Sequence, residues 1–203
     1  HIIISGLLLL TVSCSGFLDM EPVREIAAGE YFDSENALKV YANGFLVKYM
    51  PSTAALTRGD QYSDICVTSV TEAYLKSCYT PLDANNWRYQ DWEQLHNVNY
   101  FLKYMWKAED AVNNDATMRH YEGVGRFWRA WFYWNKVKAF GDVPWYDEPI
   151  DAGDEKALYK SRDSRDLVMG KVLEDLDYAV AHCSDDSKYL RANVVNRYVA
   201  LAL

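Results

Sequence analysis

Carboxylates are the side chains most able to do chemistry in this chain, and two groups of them stand out. Glu174, Asp175 and Asp177 crowd one stretch, and Glu93 follows Trp92. One protonated and one charged carboxyl group would be the machinery of glycoside hydrolysis. Glu174 and Asp177 are three apart, so on a helix they share a face, and solvated helix faces carry the same pattern. Lys or Arg partners explain such residues without catalysis. The four histidines, at 1, 96, 120 and 182, are scattered, and His96 and His120 fall on helical stretches with no nucleophile nearby. No H-E-x-x-H, G-x-S-x-G or glycine-rich phosphate loop occurs. Gly123-Val124-Gly125 lies inside a helical pattern and reads as close packing. The cysteines, at 14, 66, 78 and 183, include no C-x-x-C and none has a histidine at ligand spacing, so no zinc site is expected. The expectation is a protein without enzymatic activity, cofactor or metal.

Charge and composition narrow the partners. Lys+Arg number 21 and Asp+Glu 29, giving 21 − 29 = −8. That sign argues against nucleic acid, whose phosphates need clustered cations. Seven Trp, 16 Tyr and 7 Phe make the chain rich in aromatic side chains, which usually fill cores and in excess also supply flat surfaces for stacking.

The elements that position these residues are helices. Asp33 or Ser34 caps a first helix to about Met50, with Leu38, Tyr41, Ala42, Phe45, Leu46 and Tyr49 on one face, and Pro51 stops it. Residues 51–86 hold no sustained period, and an ordered irregular segment is expected there. A second helix spans about Trp87 to Asp110, with Trp92, Leu95, Val98, Asn99, Leu102, Met105 and Trp106 aligned. Asn113-Asn114-Asp115 turns the chain, and a third helix runs from about Ala116 to Phe140. Gly141 and Pro144 end it. After a loop at 141–162, Asp163 or Ser164 caps a fourth helix to about Cys183, with Leu167, Val168, Val172, Leu173, Leu176 and Val180 apolar. A fifth starts near Asn193. Two helical hairpins of this kind suggest tetratricopeptide-like units, in a mostly α fold with long irregular loops.

The N-terminal residues read differently. Residues 2–12 are apolar apart from Ser5 and Thr11, with Gly6 among them, too short a run to span a bilayer. They fit the apolar part of a signal peptide whose start is missing, and Ser13-Cys14 resembles a lipoprotein cleavage site. Residues 1–13 are thus expected to be a signal remnant, with Cys14 as the lipid anchor; the alternative is a buried strand with an incidental cysteine. Ser15 to Pro22 reads as a tether docking through Phe17 and Leu18. With Cys14 lipidated, Cys66 and Cys78 are the favoured pair and one thiol remains. Tyr198 to Leu203 breaks off within a helical pattern, so the chain is expected to be a fragment open at both ends.

Four motifs resemble the SusD/RagB family of outer-membrane nutrient-binding lipoproteins. They are Ser13-Cys14-Ser15-Gly16-Phe17-Leu18-Asp19 with Pro22; Trp87, Trp92, Leu95 and Asn99; Gly123 to Tyr133 followed by Phe140-Gly141-Asp142-Val143-Pro144; and Arg162 and Arg165 followed by Val172 to Ala179. In the third, Val124 stands where the family has Glu, Gly125 where it has Ala, and Trp128 where it has Leu. In the second, Trp92 stands where Tyr is usual. The motifs read mainly as fold devices: Arg126 and Arg129 pair with acids across helices, while Phe127 and Trp131 pack inward.

The resemblance implies that residues 14–203 are the N-terminal portion of a SusD-like α-helical domain. It also implies lipid attachment at the outer membrane, facing the cell surface, and delivery of captured glycan to a SusC-type TonB-dependent transporter. Sugars present C–H faces to aromatic rings and hydroxyls to amides and guanidinium groups. The candidate glycan site is Tyr79, Asn85, Asn86, Trp87 and Arg88, where a loop meets the second helix; Trp87 packing at the helix start is the alternative. Capture of peptides, a surface glycoside hydrolase and a purely structural scaffold are the competing functions.

Overall fold

The computed structural model describes residues 31–51, 87–151, 153–190 and 194–203. The expectations for residues 1–22, for Cys66 and Cys78, and for Tyr79, Asn85 and Asn86 lie outside the described residues. Those that remain form helices, with no strand among them, only an isolated bridge between Val143 and Asp163.

Helix α1 covers Glu35–Tyr49. Ser34 caps it by accepting the Ala37 N–H at 3.3 Å, and Pro51 follows it as expected. A 3₁₀ turn at Tyr89–Trp92 leads into α2, Glu93–Tyr104; a second 3₁₀ turn, Met105–Ala108, separates α2 from the short α3, Glu109–Val112. One continuous helix was expected here, and the apolar face survives the breaks: Leu95, Val98, Asn99 and Met105 are buried. Asn113 takes a left-handed conformation at φ 45°, which asparagine tolerates, and Asn114 caps the next helix through the Thr117 N–H at 3.1 Å.

Helix α4, Asp115–Phe140, is the long central element, about 39 Å at 1.5 Å per residue. Gly141 closes it with φ +70°, a backbone that side chains rarely adopt. The expected loop after it contains one short helix, α5, Glu155–Leu158, capped by Asp154. Helix α6, Arg165–His182, is capped by Ser164 and packs antiparallel along α4, completing a helical hairpin. The chain then forms the short α7, Ser187–Leu190, and α8, Arg197–Ala202, which Asn196 caps by accepting the Tyr198 and Val199 N–H groups. The start of α8 is thus a few residues later than the helix expected near Asn193.

Helices α1, α2 and α6 all pack on α4, and α8 packs on α6. Two glycines allow the close approach. A methyl group on Gly125 would stand 2.6 Å from Leu102 Cδ2 of α2, and one on Gly123 would stand 2.9 Å from Cys183 Sγ beyond α6. The core has two parts. The larger is centred on Phe32, Phe45, Phe101, Phe127 and Trp128; the smaller joins Leu95, Phe132, Tyr133, Val143, Trp145 and Val168. Val124 is buried in the larger part, so the residue standing for the family's Glu faces the interior. Trp131 is half-buried at the edge of that core rather than fully inside.

Helix α6 departs from the expected stripe. Val168, Val172, Asp175 and Ala179 are its buried residues, while Leu167 and Leu173 are 49% and 58% exposed. The buried line advances by four, three and four residues, and Leu167 and Leu173 sit one position off it. The line includes a carboxylate because α4 supplies its partner. Arg129 donates from Nε and Nη2 to the two oxygens of Asp175, both at 2.7 Å. Its Nη1 reaches the Asp147 carbonyl at 3.3 Å and Asn99 Oδ1 at 3.5 Å. Burial opposes the Arg129 charge, and the Asp175 carboxylate more than offsets it.

Candidate functional site

The candidate site begins where the chain enters α2. The Arg88 N–H donates to Asp91 Oδ2 at 2.7 Å, which closes the 3₁₀ turn and fixes Trp87 just before it. Trp87 is half-buried and meets two rings edge-on: Trp92 at 5.3 Å between centroids and Phe140 at 4.8 Å. Trp87 therefore packs at the helix start, and part of its ring still reaches solvent. Arg88 beside it is exposed. Of the five expected site residues, these two are described and lie together.

Behind Trp87 the rings continue inward. Trp92 contacts Phe132 at 5.5 Å and Tyr146 at 6.0 Å. Lys136 of α4 pushes its ammonium among them, 5.2 Å from the Trp92 centroid, 5.3 Å from Phe132 and 5.8 Å from Phe140. Ring faces attract a cation where water is excluded. Lys136 is only 6% exposed; burial lowers its pKa, and the nearby Asp91 carboxylate works the other way. In front, the Arg162 guanidinium lies over the Trp87 ring, 4.7 Å from its centroid. Sequence reasoning named Arg162 only as a motif residue and did not single out Lys136. For Lys136 the i±4 spacing to Phe132 and Phe140 on α4 is a local signal, whereas Trp92 and the ring under Arg162 are distant in sequence.

The loop carrying Arg162 is tied down from both ends. The Tyr146 N–H donates to the Tyr133 hydroxyl at 2.6 Å, and that hydroxyl donates to the Pro144 carbonyl at 3.2 Å. Tyr133 and Trp145 stack at 4.3 Å. Asn99 Nδ2 donates to the carbonyls of Tyr146 and Glu148 at 3.0 and 3.1 Å. Asp163 accepts the Trp145 N–H at 2.8 Å and pairs with Lys160 at 2.7 Å. Burial raises the Asp163 pKa, but the Lys160 ammonium and the Trp145 N–H outweigh it and hold the carboxyl below its ordinary value. Asp142 accepts the Arg165 N–H at 2.8 Å, which fastens the loop to the start of α6.

Three of the four carboxylates first considered for acid–base chemistry have cationic partners, and the fourth, Asp177, is exposed. Glu93 pairs with Lys48 of α1, Glu174 with Lys171 at 2.8 Å, and Asp175 with Arg129. Arg126 pairs with Glu122 at 2.7 Å and lies over the Tyr178 ring at 4.0 Å, so both motif arginines make acidic contacts. His120 is a buried core residue whose Nδ1 accepts the Ser184 N–H at 3.0 Å. The Cys183 thiol is buried and free, and burial pushes its pKa up to about 12, which leaves no thiolate for nucleophilic work. Among the described residues no group of three or more His, Cys, Asp or Glu is placed to hold a metal. No helix of the described residues is long and apolar enough to cross a membrane.

Comparison with known proteins places this architecture. A SusD-like family model described as "Starch-binding associating with outer membrane" matches residues 36–196. A SusD-like protein of Formosa agariphila is 23% identical over 188 residues, 84% of this chain and 35% of its own length. The crystal structure of a SusD-like protein from Bacteroides fragilis superposes with a TM-score of 0.70 at 20% identity, covering 90% of this chain and 36% of that one. A SusD-like carbohydrate binding protein from the same species gives 0.63 at 16% identity, over 85% and 36%. The chain spans about a third of the length of these relatives, and the solved structures share its helical fold. The extent of the family match and the shared fold show that the chain belongs to the SusD-like family.

Proposed function

We propose that this chain is the N-terminal portion, residues 14–203, of a cell-surface lipoprotein that captures oligosaccharide without chemical change. It passes the captured glycan to a SusC-type TonB-dependent transporter in the outer membrane. The observation that carries the reading is Trp87: a half-buried indole held at the surface by Trp92 and Phe140, beside exposed Arg88 and at the edge of the segment holding Tyr79, Asn85 and Asn86. A rigid ring with a neighbouring cation is the minimal surface on which a sugar stacks and bonds. Membership in a family described as starch-binding supports the ligand class. One relative of the same fold is named a carbohydrate binding protein. The pairing of Glu93, Glu174 and Asp175 with cations supports capture over hydrolysis.

Replacing Trp87 by alanine tests the site. Loss of an anchoring tryptophan removes about 2 kcal/mol, roughly 30-fold in affinity for the retained glycan. Melting curves of variant and parent must overlay, since Trp87 also packs. Unchanged affinity would place the ligand elsewhere. The anchor is tested separately: Cys14→Ala is expected to move the protein from the membrane fraction to the soluble one, because the lipid attachment sulfur is gone. Retention of the variant in detergent-extracted membranes would remove Cys14 from that role.

A further inference from the structure

We propose that the oligosaccharide taken at Trp87 is anionic, and that Arg162 receives its carboxylate or sulfate group. This rests on the capture reading above and adds the ligand's charge to it. Arg162 is exposed and its guanidinium sits 4.7 Å from the Trp87 centroid. Among the described residues, no carboxylate pairs with it and no acceptor takes its N–H donors. Its neighbours are different: Lys160 pairs with Asp163, Arg165 contacts Asp166 at 3.7 Å, and Lys171 pairs with Glu174. On a chain with 29 acidic residues against 21 basic ones, a cation with no acid paired to it among the described residues, beside a half-buried indole, is a local reversal of sign.

The surroundings reinforce that sign. Exposed Arg88 adjoins Trp87, and the buried Lys136 ammonium sits behind the Trp92 and Phe140 rings that Trp87 touches. Among the described residues, none of the carboxylates of this corner pairs with Arg162. Asp91 holds the Arg88 N–H, Asp142 holds the Arg165 N–H, and Asp163 holds Lys160 and the Trp145 N–H. A guanidinium held over a ring loses little freedom on binding and offers a planar fork that matches a carboxylate or sulfate with two parallel bonds. A neutral hydroxyl makes the weaker kind of hydrogen bond in the same place.

The test titrates the whole protein with three tetrasaccharides of equal length: tetragalacturonate, a sulfated galactan fragment and neutral cellotetraose. At low salt an anionic ligand is expected to bind at least about tenfold tighter than the neutral one. The gap should narrow as salt is raised, since part of the site is exposed. Arg162→Gln should abolish the gap, Arg162→Lys should keep part of it, and both should melt with the parent. The preferred anion then separates uronates from sulfate esters. Equal affinity for neutral and anionic ligands would overturn this inference and leave oligosaccharide capture standing. An equal loss for all ligands in Arg162→Gln would make Arg162 only a support for Trp87 and overturn it too. Binding of no glycan at all would overturn the capture reading with it.

Discussion

Asp175→Ala is expected to destabilise the protein by about 3–5 kcal/mol, because it strands the Arg129 guanidinium inside the helical hairpin. Asp175 is 2% exposed and Arg129 8%, so water cannot replace the missing carboxylate. The effect should spread beyond the pair. Arg129 also reaches the Asp147 carbonyl and Asn99 Oδ1, and Asn99 holds the carbonyls of Tyr146 and Glu148. A loosened guanidinium therefore frees the loop that carries Arg162 toward Trp87. Chemical denaturation reads the loss as a lower midpoint. An Arg129→Met/Asp175→Leu double variant should recover a large part of it, because the buried charge is then removed along with its partner. A midpoint unmoved by Asp175→Ala would mean that the guanidinium finds solvent.

The second large effect is at Trp128, 1% exposed at the centre of the larger core. Its ring meets Phe127 at 5.3 Å, Tyr49 at 6.3 Å and Trp131 at 6.5 Å, so it joins α1 to α4. Truncation to alanine removes the transfer energy of an indole and leaves a cavity in a well-packed place, about 3–5 kcal/mol. Trp128→Phe should lose much less, since the indole Nε1 finds no acceptor among the described residues and no hydrogen bond is given up. Thermal melting separates the two variants. Equal melting temperatures for Trp128→Ala and the parent would show that the ring does not fill the core.

Much of this fold is legible in the chain because its devices are local. Of the cap candidates, Ser34 rather than Asp33 and Ser164 rather than Asp163 take the role, Asn114 of the expected turn also caps a helix, and Gly141 ends one as expected. Gly123 and Gly125 read as close-packing positions, and a methyl group at either would collide with a neighbouring helix or its end. Arg126 and Arg129 read as ion-pair residues, and acids from their own and the facing helix meet them.

What the chain conceals depends on partners brought in from afar. Asp175 looks like one more solvated acid in a run with Glu174 and Asp177, and only the facing Arg129 makes it a buried one. For the same reason Leu167 and Leu173 look like core and lie at the surface: the buried line of α6 was drawn around a charge that the hydrophobic pattern leaves out. Lys136 shares a face with Phe132 and Phe140, one turn away on either side, and it is the distant Trp92 that completes its enclosure. The candidate site is half legible in the same sense. An aromatic residue beside a cation at a loop–helix junction pointed to Trp87 and Arg88, whereas the guanidinium of Arg162 arrives from a loop whose course no local pattern gives.

The most direct measurement of the central claim is calorimetric titration of the whole protein with a panel of soluble glycans and with peptides, followed by chain-length analysis of each recovered ligand. Saturable binding of at least one glycan is expected, with no binding of the peptides and recovered chains of unchanged length. Shortened chains would make the protein an enzyme, and binding of peptides alone would move its ligand to another class. Either result would contradict capture of oligosaccharide.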